Sequence, residues 1–150
     1  MSYVSQSRSE WHNVVLIQPT SPFVSVPDIR AVLHAVESGN WASAQTITRV
    51  KHNSHWVNQR KLHQHRSGKC TFAFKDNYGR GASQKESKSR TWKFGNVVAV
   101  KTKALLEQKM IFAQPSKGIP VPWWRAIDCD GPDDFELAED LIKAGRIIDV

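Results

Sequence analysis

Cysteine is scarce: Cys70 and Cys129 are the only two among 150 residues, and they stand far apart. So few thiols argue against a disulfide framework and against a C-x-x-C metal site. No apolar run approaches the roughly 20 residues that a membrane-spanning helix needs. The opening Met-Ser-Tyr-Val-Ser-Gln-Ser-Arg is polar rather than the apolar core of a secretory leader. These absences predict a cytoplasmic protein with no membrane segment. No internal repeat is visible, which sets solenoids and propellers aside. Acids, too, are scarce over one stretch. Between Arg49 and Lys93 stand 12 of the 21 Lys and Arg but only Asp76 and Glu86 of the 14 acids, a local balance of +10. The other 9 bases face 12 acids, so the net charge of +7 belongs to one segment.

What is present reads as one α/β domain over 1–150, with 51–91 as a basic hairpin insertion within it. Asn13-Val-Val-Leu-Ile-Gln18 is a short β-branched run of the kind found in a strand buried on both faces. It stops at Pro19-Thr20-Ser21-Pro22. Ser25 then stands three residues before Asp28, an N-cap pattern with Pro27 in the first turn. Ile29, Val32, Leu33 and Val36 fall on one helical face that Gly39 can end. Residues 43–50 have strand composition, and a parallel neighbour reached through that helix would complete a βαβ unit in a mostly parallel sheet. Leu62–His65 and Cys70–Lys75 flank Arg66-Ser-Gly-Lys69 as a hairpin, Asp76–Gly79 marks a further turn, and 79–90 read as a polar, mobile stretch. Trp92–Val100 resembles a second buried strand, and Thr102 can cap a short helix after it. Arg125–Asp130 reads as a strand. Pro132-Asp-Asp134 then opens a helix whose apolar face is Phe135, Ala138, Leu141 and Ile142, closed by Lys143 and Gly145.

Ligands of open α/β sheets sit beyond the carboxyl ends of strands, where Gln18 and its loop fall, and a glutamine amide can both donate and accept. The loop could equally do no more than turn the chain before a capped helix. Asp128 and Asp130 are separated by one residue. In a strand they would share a face and could meet one hard cation with phosphate oxygens. The plainer alternative is an N-cap at Asp130 and a solvated Asp128.

Gln18-Pro-Thr-Ser-Pro22 after its Val-Val-Leu-Ile strand resembles the Leu-Gln-Pro-Thr-Ser-Pro motif of the acylneuraminate cytidylyltransferase (CMP-sialic acid synthetase) family. Ile127-Asp-Cys-Asp130, followed by Leu137-Ala-Glu139, is similar to that family's late Ile-Asp-Ile-Asp stretch and Leu-Ala-Glu helix. The order and separation of the motifs match, and the resemblance runs from about residue 11 to the end. It implies a truncated, mostly parallel Rossmann-like sheet of the nucleotide-diphospho-sugar transferase type, with a β-hairpin insertion that forms a homodimer through 51–91. It implies sugar contacts at Gln18, Ser21 and Asn96, and Asp128 and Asp130 as catalytic carboxylates that hold magnesium. The implied partners are an acyl-sugar and CTP. The sequence also departs from the family. Gly95-Asn96 reverses the usual Asn-Gly, Val24 stands where an arginine is common, and Trp56-Val57 replaces an expected lysine. The Ala-Arg-x-x-Ser-Lys loop that would cradle the triphosphate has no counterpart before Trp11. The resemblance therefore implies a cytidylyltransferase-like chain that is inactive alone, or a non-catalytic remnant that binds a sugar or a protein.

The same residues bear on two other readings. Trp56, Phe72, Phe74, Tyr78 and Trp92 interleave with Lys and Arg, a composition suited to single-stranded nucleic acid, but a dimerisation arm accounts for it as well and we do not expect nucleic acid. His52, His55, His63 and His65 have no cysteine at ligand spacing, so a surface role is favoured over zinc. Trp123-Trp124 reads as a loop anchor or a partner contact.

Overall fold

The computed structural model describes residues 11–74 and 89–147. Described residues up to Thr48, with those from Phe94 onward, form one compact unit, and Arg49–Lys93 forms a second. The second unit is the same stretch that carries the +10 charge.

The elements are β1 (Asn13–Ile17), α1 (Val26–Ser38), β2 (Ser43–Arg49), β3 (Arg60–Gln64), β4 (Cys70–Phe74), β5 (Trp92–Lys101), α2 (Thr102–Gln108), β6 (Ser116–Pro120) and α3 (Pro132–Lys143). In the first unit the sheet order is β1-β5-β2-β6. β1 pairs with β5 antiparallel, Asn13 opposite Lys101 and Ile17 opposite Val97. β2 pairs with β6 parallel, Ser43 opposite Ser116. Lys101 N donates to Ala42 O and Asn96 N to Thr46 Oγ1, so β5 runs against β2 as well. β1, β2 and β6 thus share one direction and β5 opposes it: a mixed α/β sheet in which three of the four strands run parallel. The expected side-by-side pairing of β1 with β2 does not form, because β5 lies between them.

Burial follows that order. β5 is covered on both faces, with Val97, Val98 and Val100 all 0% exposed. β1 is an outer strand among the described residues, and its Leu16 and Ile17 are 44% and 45% exposed. The strand buried on both faces is therefore β5; in β1 the same apolar composition leaves one side open.

α1 begins where its cap was expected. Ser25 has extended backbone, its Oγ accepts from Asp28 N at 3.4 Å, and Pro27 fits the first turn because no N–H is needed there. Its Val32, Ala35 and Val36 pack on Ala44, Val97 and Ala99, with Val15, Ile29 and Leu33 around them. Each such valine contributes roughly 1.5–3 kcal/mol on leaving water. α2 starts one residue earlier than expected: Lys101 is the N-cap, and Thr102 is the first helical residue with its buried hydroxyl unpartnered. β6 has no strand signature, since Ser-Lys-Gly-Ile-Pro carries a breaker at two of five positions. It forms at the sheet edge, where proline is tolerated.

The stretch 125–130 is not a strand. Trp123–Ala126 is a 3₁₀ turn entered from Pro122, and 127–130 have no regular structure. No ladder partner is present there among the described residues, and Cys129 N donates to Thr20 O at 2.8 Å. α3 is capped by Gly131 rather than Asp130. The Asp134 carboxylate accepts from the N–H groups of Gly131 (3.0 Å) and Asp130 (3.1 Å), which is half of a capping box. Ala138 and Leu141 bury against Phe23, Ile127 and Cys129, but Phe135 and Ile142 remain 59% and 56% exposed.

In the second unit β3 and β4 form the expected antiparallel hairpin, Leu62 opposite Phe72 and Gln64 opposite Cys70. His65 N donates to Lys69 O and Gly68 N to His65 O; Gly68 takes φ +79°, a conformation that favours glycine. All of β3 is exposed. His55 is buried and structural: its Nδ1 accepts from Val57 N, so the proton sits on Nε2 and points to Ser89 O at 3.1 Å. The expected turn at 76–79 and the polar stretch through residue 88 lie outside the described residues.

Candidate functional site

β1 ends at a loop that closes on itself. Gln18 N donates to Asn96 O at 3.3 Å and Ser21 N to Gln18 O at 3.2 Å, which turns the chain sharply toward Ser25. The bond from Cys129 N to Thr20 O ties this loop to the segment before α3. Within that frame two polar side chains converge on one carboxylate. Gln18 Nε2 donates to Asp128 Oδ2 at 3.3 Å, and Thr20 Oγ1 donates to Asp128 Oδ1. Gln18 and Asp128 are 110 positions apart in the chain and meet at the carboxyl end of β1. Each Asp128 oxygen keeps a second acceptor site.

The other expected residues are arranged differently. Asp130 is exposed and Asp128 half-buried, in a segment without regular structure. Ser21 is 6% exposed with its hydroxyl buried and unpartnered. Asn96 is turned inward and 0% exposed. Its Oδ1 accepts from Thr46 Oγ1 at 2.9 Å, and its Nδ2 donates to Arg125 O at 2.6 Å. Asn96 therefore braces the turn that leads to Asp128. Thr46 can reach it because Gly95 has no side chain: a Cβ there would stand 2.5 Å from Thr46 Oγ1.

Two features carry no sequence signature. One is the bond from Thr20 to Asp128, which the Pro-Thr-Ser-Pro turn does not foretell. The other is a pair between Arg125 and Asp28, 97 positions apart. Arg125 Nη1 lies 3.1 Å from both Asp28 Oδ1 and Ser25 Oγ, and the guanidinium stacks 5.2 Å from the Trp124 ring. Asp28 is 5% exposed. The pair fixes the start of α1 to the 3₁₀ turn, and so holds the two sides of the Gln18–Asp128 contact together.

The site is negatively charged. Burial of Cys129 comes first, and then the charges of Asp134, Asp128 and Asp130, in pushing its thiol above the usual range. Among the described residues no group of three or more His, Cys, Asp or Glu side chains is set to enclose a metal ion. The donors fit a magnesium ion that takes one or two carboxylates and completes its shell with water and substrate phosphates, and they do not fit an all-protein cage.

Beside this polar contact lies a cavity of about 310 Å³, between the Pro19–Phe23 loop and α3. Phe135, Ala138 and Ile142 line it from the helix, together with Cys129, and Thr20 and Glu139 are its polar members. No described helix is long and apolar enough to cross a membrane.

No family model and no curated protein matches this sequence. Among solved structures the fold is similar to that of a CMP:2-keto-3-deoxy-manno-octonic acid synthetase complexed with CTP, with a TM-score of 0.56 and 12% identity. The likeness covers 94% of this chain and 66% of that one, so the chain spans just under two thirds of that protein. At this identity the comparison establishes a shared α/β fold, one that in the synthetase holds a cytidine nucleotide.

Proposed function

We propose that this chain binds a sugar acid of the acyl-sugar type and takes part, with CTP and magnesium, in cytidylyl transfer. The observation that carries the reading is the meeting of Gln18 and Asp128 beyond the carboxyl end of β1, where α/β sheets bind ligands. The motifs at 18–22 and 127–130 with Leu137-Ala-Glu139 support the sugar type, and the similar fold of a CTP-bound synthetase supports the nucleotide.

In this reading Gln18 uses its amide on the hydroxyl or acyl-amide groups of the sugar, and Ser21 offers the one buried hydroxyl of the loop that has no internal partner. Thr20 holds the Asp128 carboxylate in place. Asp128, with Asp130, would hold magnesium; the ion would offset phosphate charge as the sugar hydroxyl attacks the α-phosphorus and pyrophosphate leaves. Asn96 acts on this site through its hold on the Arg125 carbonyl rather than by touching substrate. Transfer also needs groups that cradle the triphosphate, and the charged groups gathered at this contact are carboxylates, which repel phosphate unless a cation intervenes. That charge favours a second reading, a sugar-binding unit without turnover of its own.

Pyrophosphate release from CTP with N-acetylneuraminate and magnesium separates the two. Release that disappears in Asp128→Asn supports transfer. Sugar binding without release supports the second reading, and neither binding nor release at millimolar ligand rejects both.

A further inference from the structure

Thr20 belongs to two surroundings of opposite chemistry. Its hydroxyl donates to Asp128, beside the bond from Gln18, and so completes the polar contact. The same residue lines the cavity next to α3, as does Cys129, which follows Asp128 in the chain. Apart from Thr20 and Glu139, every residue around that cavity is apolar. Both exceptions are engaged, Thr20 with Asp128 and Glu139 with Lys143, whose Nζ donates to Oε2 at 3.1 Å. A sugar hydroxyl placed there would exchange water for an apolar wall, which costs free energy. A hydrocarbon group would gain free energy from the same move.

Much of the wall is set before a ligand arrives. Pro19 and Pro22 have φ fixed by their rings, and Phe23 and Ala138 are 2% and 7% exposed in the core. The bond from Cys129 N to Thr20 O ties the loop to the segment before α3. Phe135 and Ile142, by contrast, stand 59% and 56% exposed, so each has apolar surface that an occupant can take from water. An apolar cavity of about 150 Å³ suffices for a benzene ring. At about 310 Å³ this one is far larger than the methyl of an acetyl group requires.

We propose that the ligand of the Gln18–Asp128 site carries an acyl group bulkier than acetyl, a chain of about four carbons or one ending in a phenyl ring, which lies against Phe135 and Ile142. The inference rests on the reading of that site as one for an acylated sugar acid, and it adds which acyl groups the site selects. Gln18 meets the acyl amide in that reading, and Pro19 and Thr20, the next residues along, line the cavity. A chain leaving the amide carbonyl therefore enters the apolar space, while the hydroxyls stay with the polar contact.

Titration calorimetry of the full chain with N-acetyl-, N-butanoyl- and N-phenylacetylneuraminate tests it. Each methylene buried should tighten binding roughly fourfold, so the butanoyl sugar is expected to bind about tenfold more tightly than the acetyl sugar, and the phenylacetyl sugar at least as tightly as the butanoyl. In Phe135→Ala/Ile142→Ala, with circular dichroism confirming the fold, the ratio of butanoyl to acetyl affinity should fall to threefold or less; a ratio is unmoved by a general loss of binding. Acetyl sugar that binds as tightly as, or more tightly than, the butanoyl sugar would overturn the inference and leave the Gln18–Asp128 site standing. So would a preference that the double variant retains in full. Absence of binding by all three sugars at millimolar concentration would refute the site itself, and this inference with it.

Discussion

Replacing Arg125 by methionine removes the guanidinium from Asp28 and leaves the aliphatic stem in place. Asp28 is 5% exposed, and Arg125 Nη1 at 3.1 Å is its one cationic neighbour among the ion pairs of the described residues. Its other oxygen, Oδ2, already lacks a partner, so the carboxylate would keep no charge-assisted bond in a site from which water is nearly excluded. Breaking a buried pair from one side costs about 3–5 kcal/mol. The Arg125 side chain is 23% exposed, and some relief from solvent puts our expectation at the lower end, about 3 kcal/mol. Loss of the stacking on Trp124 adds roughly 0.5–1 kcal/mol. The pair also costs desolvation to form, so the double variant Asp28→Asn/Arg125→Met should recover at least half of the loss. Urea unfolding followed by far-ultraviolet circular dichroism measures all three proteins, and the midpoint should move with an unchanged slope. A single Arg125→Met variant within about 1 kcal/mol of wild type, or a double variant no better than the single, would refute the argument that this ion pair holds α1 to the turn before Asp128.

Further outcomes follow from the packing around it. Gly95→Ala should destabilise by about 1–3 kcal/mol in the same urea assay, because the new Cβ would stand 2.5 Å from Thr46 Oγ1 and must displace it from Asn96. Thr46→Val should cost about 1–3 kcal/mol, since the Asn96 amide oxygen and N–H would lose their buried partner. Iodoacetamide at pH 8 should modify exposed Cys70 well before Cys129, which is 6% exposed and has its thiol pKa raised; equal rates counted by mass spectrometry would contradict this. The same shift has a sign in stability: above the ordinary thiol range the unfolded chain releases a proton that folded Cys129 retains. The native state therefore loses stability as pH rises through about 8.5, and Cys129→Ala should flatten that slope.

Much of the fold was legible where local chemistry decides it. Ser25, Pro27 and Gly39 set the ends of α1 because caps act within one turn of the chain. The Arg66–Lys69 turn placed the hairpin for the same reason, and the scarcity of acids between Arg49 and Lys93 marked the second unit. Elements that depend on distant partners were not legible. β6 has breakers at Gly118 and Pro120 and is a strand only because β2 offers it a ladder. Residues 125–130 had strand composition but no neighbour to pair with. β5 is buried on both faces as its composition suggested, whereas β1, of like composition, has an open side, since composition alone does not reveal strand order. In the site, the strand after which Gln18 falls could be read directly. Its contact with Asp128, the inward turn of Asn96 and the Arg125–Asp28 pair bridge 29 to 110 positions and leave no local pattern.

We propose Gln18, Thr20 and Asp128 as a ligand site. Titration calorimetry of the full chain with N-acetylneuraminate, with and without CTP and magnesium, tests it most directly when wild type is compared with Asp128→Asn. We expect binding by wild type, tighter with magnesium and CTP present, and at least a tenfold weaker affinity in the variant, whose fold should be unchanged because asparagine can still accept from Gln18 or Thr20. Equal affinity in the two proteins, or no heat of binding by wild type at millimolar sugar, would contradict it.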